Sequence, residues 1–197
     1  MDYNTYVKNQ LQEAADTLHK FSNNPAAISS IDNAATLISE AFKNGNKVIS
    51  CGNGGSMSDA MHFAEELTAR YRDDRKALPA IAISDQGHIS CTANDYGYEH
   101  VFSRFIEAHG KSGDVLFAIS TSGNSDNILK AAETAKKQGM KVIGLSGNVG
   151  GALKTYCDLM ICAPASDHSD RIQEIHIKAI HIIIALIELK LGAVQGK

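Results

Sequence analysis

Three times in this chain a short apolar run ends in glycine and small polar residues and passes at once into a helical pattern: "KVISCGNGGS", "DVLFAISTSGNS" and "KVIGLSGNVGG". The runs are apolar at consecutive positions, not alternate ones, so both faces of each strand must be covered. Strands of that kind belong to parallel sheets packed between helices. "LPAIAIS" and "DLMICAPAS" add two more short strands. Helical spacing marks residues 3–22 (Tyr6, Leu11, Ala15, Leu18, Phe21), residues 27–43, the stretch bearing His62 and Glu66, and a long segment at 170–192. "DQGHISCTANDYGYEH" is polar and less regular. The expectation is one α/β domain over 1–197, with a helical N-terminal extension (1–45) and an α/β core with a long final helix (46–197). The second half of that helix is apolar nearly all round, which calls for burial. Either a second subunit covers it or the first two helices do.

Charge and composition narrow the function. The net charge is −3 and the sequence pI about 6.2, with Lys and Arg scattered, so no nucleic-acid footprint is expected. "MDYNTYVKNQLQEAADTL" has neither a basic start nor an apolar run, and four cysteines form no CxxC pair. A reducing cytoplasm is the expectation. "AIHIIIALIELKLGAV" is interrupted by His181, Glu188 and Lys190, so no membrane span is expected.

In an open parallel sheet, ligands bind at the carboxyl ends of the strands. That makes Asn53–Ser56 and Ser120–Ser125 the candidate turns. "GNGGS" fails the dinucleotide fingerprint, because Met57 stands where the third glycine belongs, and no nucleotide-triphosphate loop occurs. No nucleotide cofactor is expected. "STSGNS" offers the hydroxyls of Ser120, Thr121, Ser122 and Ser125, and a helix start supplies unpaired N–H groups, which suits a phosphate monoester. The competing reading is that Ser56 and Ser125 merely cap helices, Ser56 with Asp59 at capping-box spacing.

His62 and Glu66 are one helical turn apart and share a face, while Glu65 falls well around it. On the last helix Asp170, Gln173, Glu174 and His181 lie within an arc of about 100°, with His176 turned away. Polar groups on so apolar a helix must be paired or functional. A phosphate site with a carboxylate and an imidazole suits aldose–ketose isomerisation, which needs a base for a carbon-bound proton and an acid for the carbonyl oxygen. The same His/Glu/Gln/His set could instead hold zinc.

"CGNGGS", "ISTSGNS" and "DRIQEIHIKAIH", with "DAMHFAEELTARYR" and "HISCTANDYGYEHVFSRF", resemble the sugar-isomerase (SIS) superfamily and, within it, the phosphoheptose isomerase family. The resemblance spans essentially the whole chain. It implies a flavodoxin-like fold, a homotetramer with sites between subunits, and conversion of sedoheptulose 7-phosphate to D-glycero-D-manno-heptose 7-phosphate, the first step towards ADP-heptoses of lipopolysaccharide. Carried onto matching positions, it implies substrate contacts at Asn53, Gly54, Gly55, Glu66, Asn94, Asp95, Ser120, Thr121, Ser122, Ser125 and Gln173. Glu66 and His181 correspond to the acid/base pair, and one zinc per subunit to His62, Glu66, Gln173 and His181. Other SIS relatives bind ligands without catalysis and share the two turns. The joint presence of Glu66, His181 and Gln173 favours the enzyme.

Overall fold

Val48–Gly52 (β1) is buried along its whole length inside a five-stranded sheet in the computed structural model, which describes residues 2–193. Residues 1 and 194–197, part of the single-domain expectation, lie outside the described residues. Strand β1 pairs in parallel with β2 (Ala80–Ala82) on one side and β3 (Val115–Ser120) on the other. Beyond β3 follow β4 (Lys141–Gly147) and β5 (Leu159–Ala163), giving the order β2-β1-β3-β4-β5 with every pairing parallel. The chain leaves β1 towards β2 and returns on the far side to β3. The crevice between the carboxyl ends of β1 and β3 is therefore the topological switch point.

Helices cover both faces, as the uninterrupted apolar strands require. On one face lie α2 (Pro25–Lys43), α3 (Gly55–Thr68) and α7 (Ser169–Lys190), with Ile38, Phe63 and Ile183 packed against Phe117 of the sheet. On the other lie α5 (Ser103–His109) and α6 (Asp126–Lys137), whose Ile106, Ile128 and Ala132 meet Ile49 and Leu116. Helix α1 (Tyr3–Ser22) buries only Thr17 and Phe21. Helix α2 begins earlier than apolar spacing predicts, because Asn24 caps it through the amides of Ala26 and Ala27 and Pro25 takes the first turn.

Two expectations change. The irregular stretch after β2 contains α4 (Gln86–Tyr96), started by Asp85, whose carboxylate accepts from the His88 amide, and stopped by Gly97 at φ 95°. Ser56 caps nothing: Gly54 holds the cap position of α3 and Ser56 is buried inside the helix. One face of α7 is covered within the chain, since Ile175, Ala179, Ile183 and Ile187 are buried where it packs on α2 and α3, while Ile182 and Leu189 on its outer face stay exposed. Helix α1 adds a second open apolar surface, at Tyr3, Tyr6, Val7 and Leu11. Among the described residues no helix is long and apolar enough to cross a membrane.

Candidate active site

The turn after β1 delivers Asn53, Gly54 and Gly55 to the switch point. Gly54 adopts φ 54°, which turns the chain sharply into α3. Gly55 is close-packed for another reason: a Cβ there would meet Nε2 of Gln173 at 2.6 Å. The Gln173 amide thus lies over the first turn of α3. Asn53 is held by a reciprocal amide pair with the buried Asn127, at 2.9 and 2.8 Å, and by the Tyr98 hydroxyl, which donates to its Oδ1 at 3.2 Å.

One side chain in the last turns of α3 meets one from the middle of α7. His62 Nε2 lies 2.9 Å from His181 Nε2 and 3.5 Å from Glu66 Oε1. The donor atoms of His62, Glu66 and His181 all fall within 4.8 Å of one another. Glu65, expected to be remote from this face, brings its Oε1 to 3.1 Å from His62 Nδ1. Tyr71 stacks on His181 with 5.8 Å between ring centres. Burial, and then the neighbouring His62, push His181 below its ordinary pKa, while Glu66 pulls the other way. Two imidazole nitrogens this close cannot both carry protons comfortably, and both can donate lone pairs to one cation. Two imidazoles and a carboxylate suit a borderline ion such as zinc, so the residues fit the metal that the resemblance implies.

Asp59 precedes His62 by one turn on the same helix. Its Oδ2 is buried without a partner, and burial raises its carboxyl to about 6, against the opposing pull of His62. That feature is legible only as a third polar residue in step with His62 and Glu66.

The second turn lies across the crevice. Ser120 Oγ accepts from the Gly123 amide at 3.1 Å and sits 3.3 Å from Ser125 Oγ. Ser122 Oγ accepts from the Asn124 amide at 3.1 Å, and the Thr121 carbonyl accepts from the Gly147 amide at 3.0 Å. Ser125 occupies the cap position of α6 but its side chain makes no capping bond; its carbonyl takes the Ile128 and Leu129 amides, so only the Asp126 and Asn127 N–H groups of the first turn are offered to a ligand. A cleft of about 370 Å³ runs from Thr121, Ser122 and Asn124 to Asn148 and Ile172, and its lining includes no lysine or arginine.

Asn94 and Asp95 are exposed on α4, where Asn94 Nδ2 donates to Asp95 Oδ1 at 2.7 Å. Asp170 and Glu174, on the same arc of α7 as His181, turn to the buried Arg171: its Nη1 donates to Glu174 Oε1 at 2.6 Å, and its Nη2 reaches Gln10 of α1. They are the paired members of that polar arc. Asn127, Tyr98 and Tyr71 carry no sequence signal beyond lying near the turns, because amides and phenols support other side chains in any fold.

The SIS domain family matches residues 9–147 of the chain. Over 186 residues the chain is 60% identical to the phosphoheptose isomerase of Serratia proteamaculans (strain 568), covering 94% of this chain and 96% of that one. The phosphoheptose isomerase of Histophilus somni (strain 2336) is 58% identical over 193 residues, 98% of this chain and 99% of that one. The structure of the phosphoheptose isomerase of Neisseria gonorrhoeae superposes with a TM-score of 0.89 at 34% identity, covering 95% of this chain and 99% of that one.

Proposed function

The chain belongs to the SIS domain family and, within it, groups with the phosphoheptose isomerases; from that premise we propose that it converts sedoheptulose 7-phosphate to D-glycero-D-manno-heptose 7-phosphate, the first step towards ADP-heptose and lipopolysaccharide core. The observation that carries the reading is the convergence of Glu66 and His181, 115 residues apart by number, on one point of the seam between α3 and α7. A module that only binds sugar phosphate needs the Ser120–Ser125 turn and not the pair.

The phosphate rests on Ser120, Thr121, Ser122 and Ser125 and on the amides that open α6, held by neutral donors and released as readily. Asn53, Gly54, Gly55, Asn94, Asp95 and Gln173 orient the sugar hydroxyls. Glu66 takes the carbon-bound proton at C1 or C2 and returns it to the neighbouring carbon through a cis-enediol. His181, whose pKa burial and then His62 lower against the pull of Glu66, handles the oxygen-bound proton. Zinc, one per subunit on His62, Glu66, Gln173 and His181, supplies Lewis acidity towards the carbonyl when bound. A residue committed to the metal cannot also exchange protons freely. Either Glu66 shifts away from a loosely held metal to move the proton, or only one of Glu66 and His181 moves protons while the metal would act as electrophile. The open apolar face of α1 supports a homo-oligomer, which we take to be a tetramer, and four unpaired cysteines support a cytoplasmic location.

The test is an NMR time course of sedoheptulose 7-phosphate in D₂O with zinc-replete protein. The expected result is an aldoheptose phosphate carrying deuterium at C2. Product without deuterium keeps the isomerase and removes solvent exchange at Glu66. No product and no exchange would return the chain to the binding class, and turnover of a pentose or hexose phosphate alone would move the substrate.

A further inference from the structure

Helices α3 and α7 run side by side in the same direction and touch at three levels. Gln173 lies over Gly55 at the start of α3, His181 meets His62 in the middle, and beyond Glu66 the pair is closed by Arg75 and Glu188. Arg75 belongs to the segment between α3 and β2, yet its side chain is 1% exposed and that of Glu188 is 2% exposed. Its guanidinium makes three short hydrogen bonds, besides longer ones from Nη1 to the Ala69 and Lys76 carbonyls. Nε donates to Glu188 Oε1 at 2.8 Å, Nη2 to the Glu66 carbonyl at 2.7 Å, and Nη1 to the Leu67 carbonyl at 2.8 Å. Those carbonyls belong to the last turn of α3, where no further helical N–H reaches them and the helix dipole presents its negative end. Glu188 follows His181 by two turns, so the two lie within about 20° on α7, roughly 10.5 Å apart along its axis.

We propose that Arg75 and Glu188 are a positioning pair that sets the separation of Glu66 from His181. The inference rests on the reading of those two as the proton-handling residues. A buried ion pair is a poor device for stability alone, because apolar side chains of equal volume serve at least as well. What the planar fork adds is direction: it binds two carbonyls and a carboxylate at fixed angles to one another. One of those carbonyls is Glu66's own, so any shift of the guanidinium is passed to the Glu66 backbone with nothing between. The same segment carries Tyr71, stacked on His181, so both members of the pair are referred to one stretch of chain.

The test compares Arg75→Lys, Glu188→Ala and Glu188→Gln with the parent protein, each shown to be folded. Lysine keeps the charge opposite Glu188 and loses the fork. Glutamine keeps an acceptor oxygen where Glu188 has one. Two readouts are taken: kcat and KM with zinc-replete protein on sedoheptulose 7-phosphate, and the imidazole ¹⁵N shifts of His62 and His181, with His88 on the far face as reference. Arg75→Lys and Glu188→Ala should each lower kcat about tenfold or more with KM within about twofold, as a misplaced reacting group does. Both should move the His62 and His181 signals and leave His88 in place, and Glu188→Gln should restore kcat to within about threefold of the parent. Parental kcat and imidazole shifts in Arg75→Lys would overturn the proposal, as would equal loss in all three variants. If Glu188→Ala does not fold, the other two carry the comparison. If the parent itself shows no turnover, the isomerase reading fails separately and the imidazole shifts alone decide.

Discussion

His176 and His181 stand five residues apart on α7 and have unrelated tasks. Helical geometry turns His176 away from His181, as the sequence indicates, but does not say what it meets. It meets the sheet: His176 is fully buried, its Nε2 donates to the Ser146 carbonyl at 3.0 Å, and its Nδ1 has no partner. Burial lowers it from 6.5 to about 4. The unfolded chain therefore takes up the proton first, and the stability that the neutral ring supplies is complete above 6.5 and lost as pH falls through about 4. Asp59 has the opposite sign, because its raised carboxyl favours the fold at low pH and that share is lost as pH rises through about 6. The two are separated by comparing the parent with His176→Gln in urea unfolding between pH 4 and 7. The parent should lose stability on acidification relative to the variant; parallel curves would show that His176 titrates like an exposed imidazole. His176→Ala should cost about 2–4 kcal/mol as a core cavity and leave turnover per folded molecule unchanged. At Glu66 the expectation reverses. Glu66→Gln keeps shape and folding and should lower kcat by about 10²–10⁴, while calorimetry still shows sugar-phosphate binding.

At the scale of elements, legibility follows how far a signal depends on distant neighbours. The apolar strands, the two ligand turns and α7 declare themselves locally, since continuous burial and glycine placement leave traces in the sequence. Helix α4 does not, because it buries a single residue, Thr92, and has no apolar stripe to reveal it. The Asn53–Asn127 pair is equally silent, since both residues are ordinary turn amides until the sheet brings β1 and β3 together. The phosphate turn offers a sharp test. Gly123 sits at φ 66°, and a Cβ there would run into the Gly150 carbonyl. Left-handed strain alone costs about 1–2 kcal/mol, so Gly123→Ala should raise KM about tenfold with a far smaller effect on kcat. Unchanged KM would mean that the turn does not seat the phosphate.

For the molecule as a whole, the structure adds to the surface that asks for company. The sequence points to the outer face of α7, where Ile182 and Leu189 stay exposed; the structure also leaves α1 with Tyr3, Tyr6, Val7 and Leu11 in the open. An exposed row of large apolar side chains on a helix that buries so little of itself is unusual for a lone subunit. Sedimentation velocity should give a mass several times 21.1 kDa, and Tyr6→Glu combined with Leu11→Glu should reduce it. A 21.1 kDa species at micromolar concentration for the parent would remove the oligomer.

The parallel seam between α3 and α7 also has a consequence in time. His62 and His181 are 119 positions apart, and a ribosome adds about 5–20 residues per second. For several seconds of each synthesis the chain already holds both glycine- and serine-rich turns and most of its sheet, while the proposed catalytic pair, Glu66 and His181, remains split. The last helix to emerge brings His181, Gln173 and Glu188 together, closing the apolar face and completing the chemistry in one event. On the proposed reading, a message cut short before α7 would yield a chain able to form the Ser120–Ser125 turn and unable to turn anything over, with a greasy flank exposed to the quality-control machinery. Chemical competence and a finished surface arrive together, so this chain carries its own inspection for completeness.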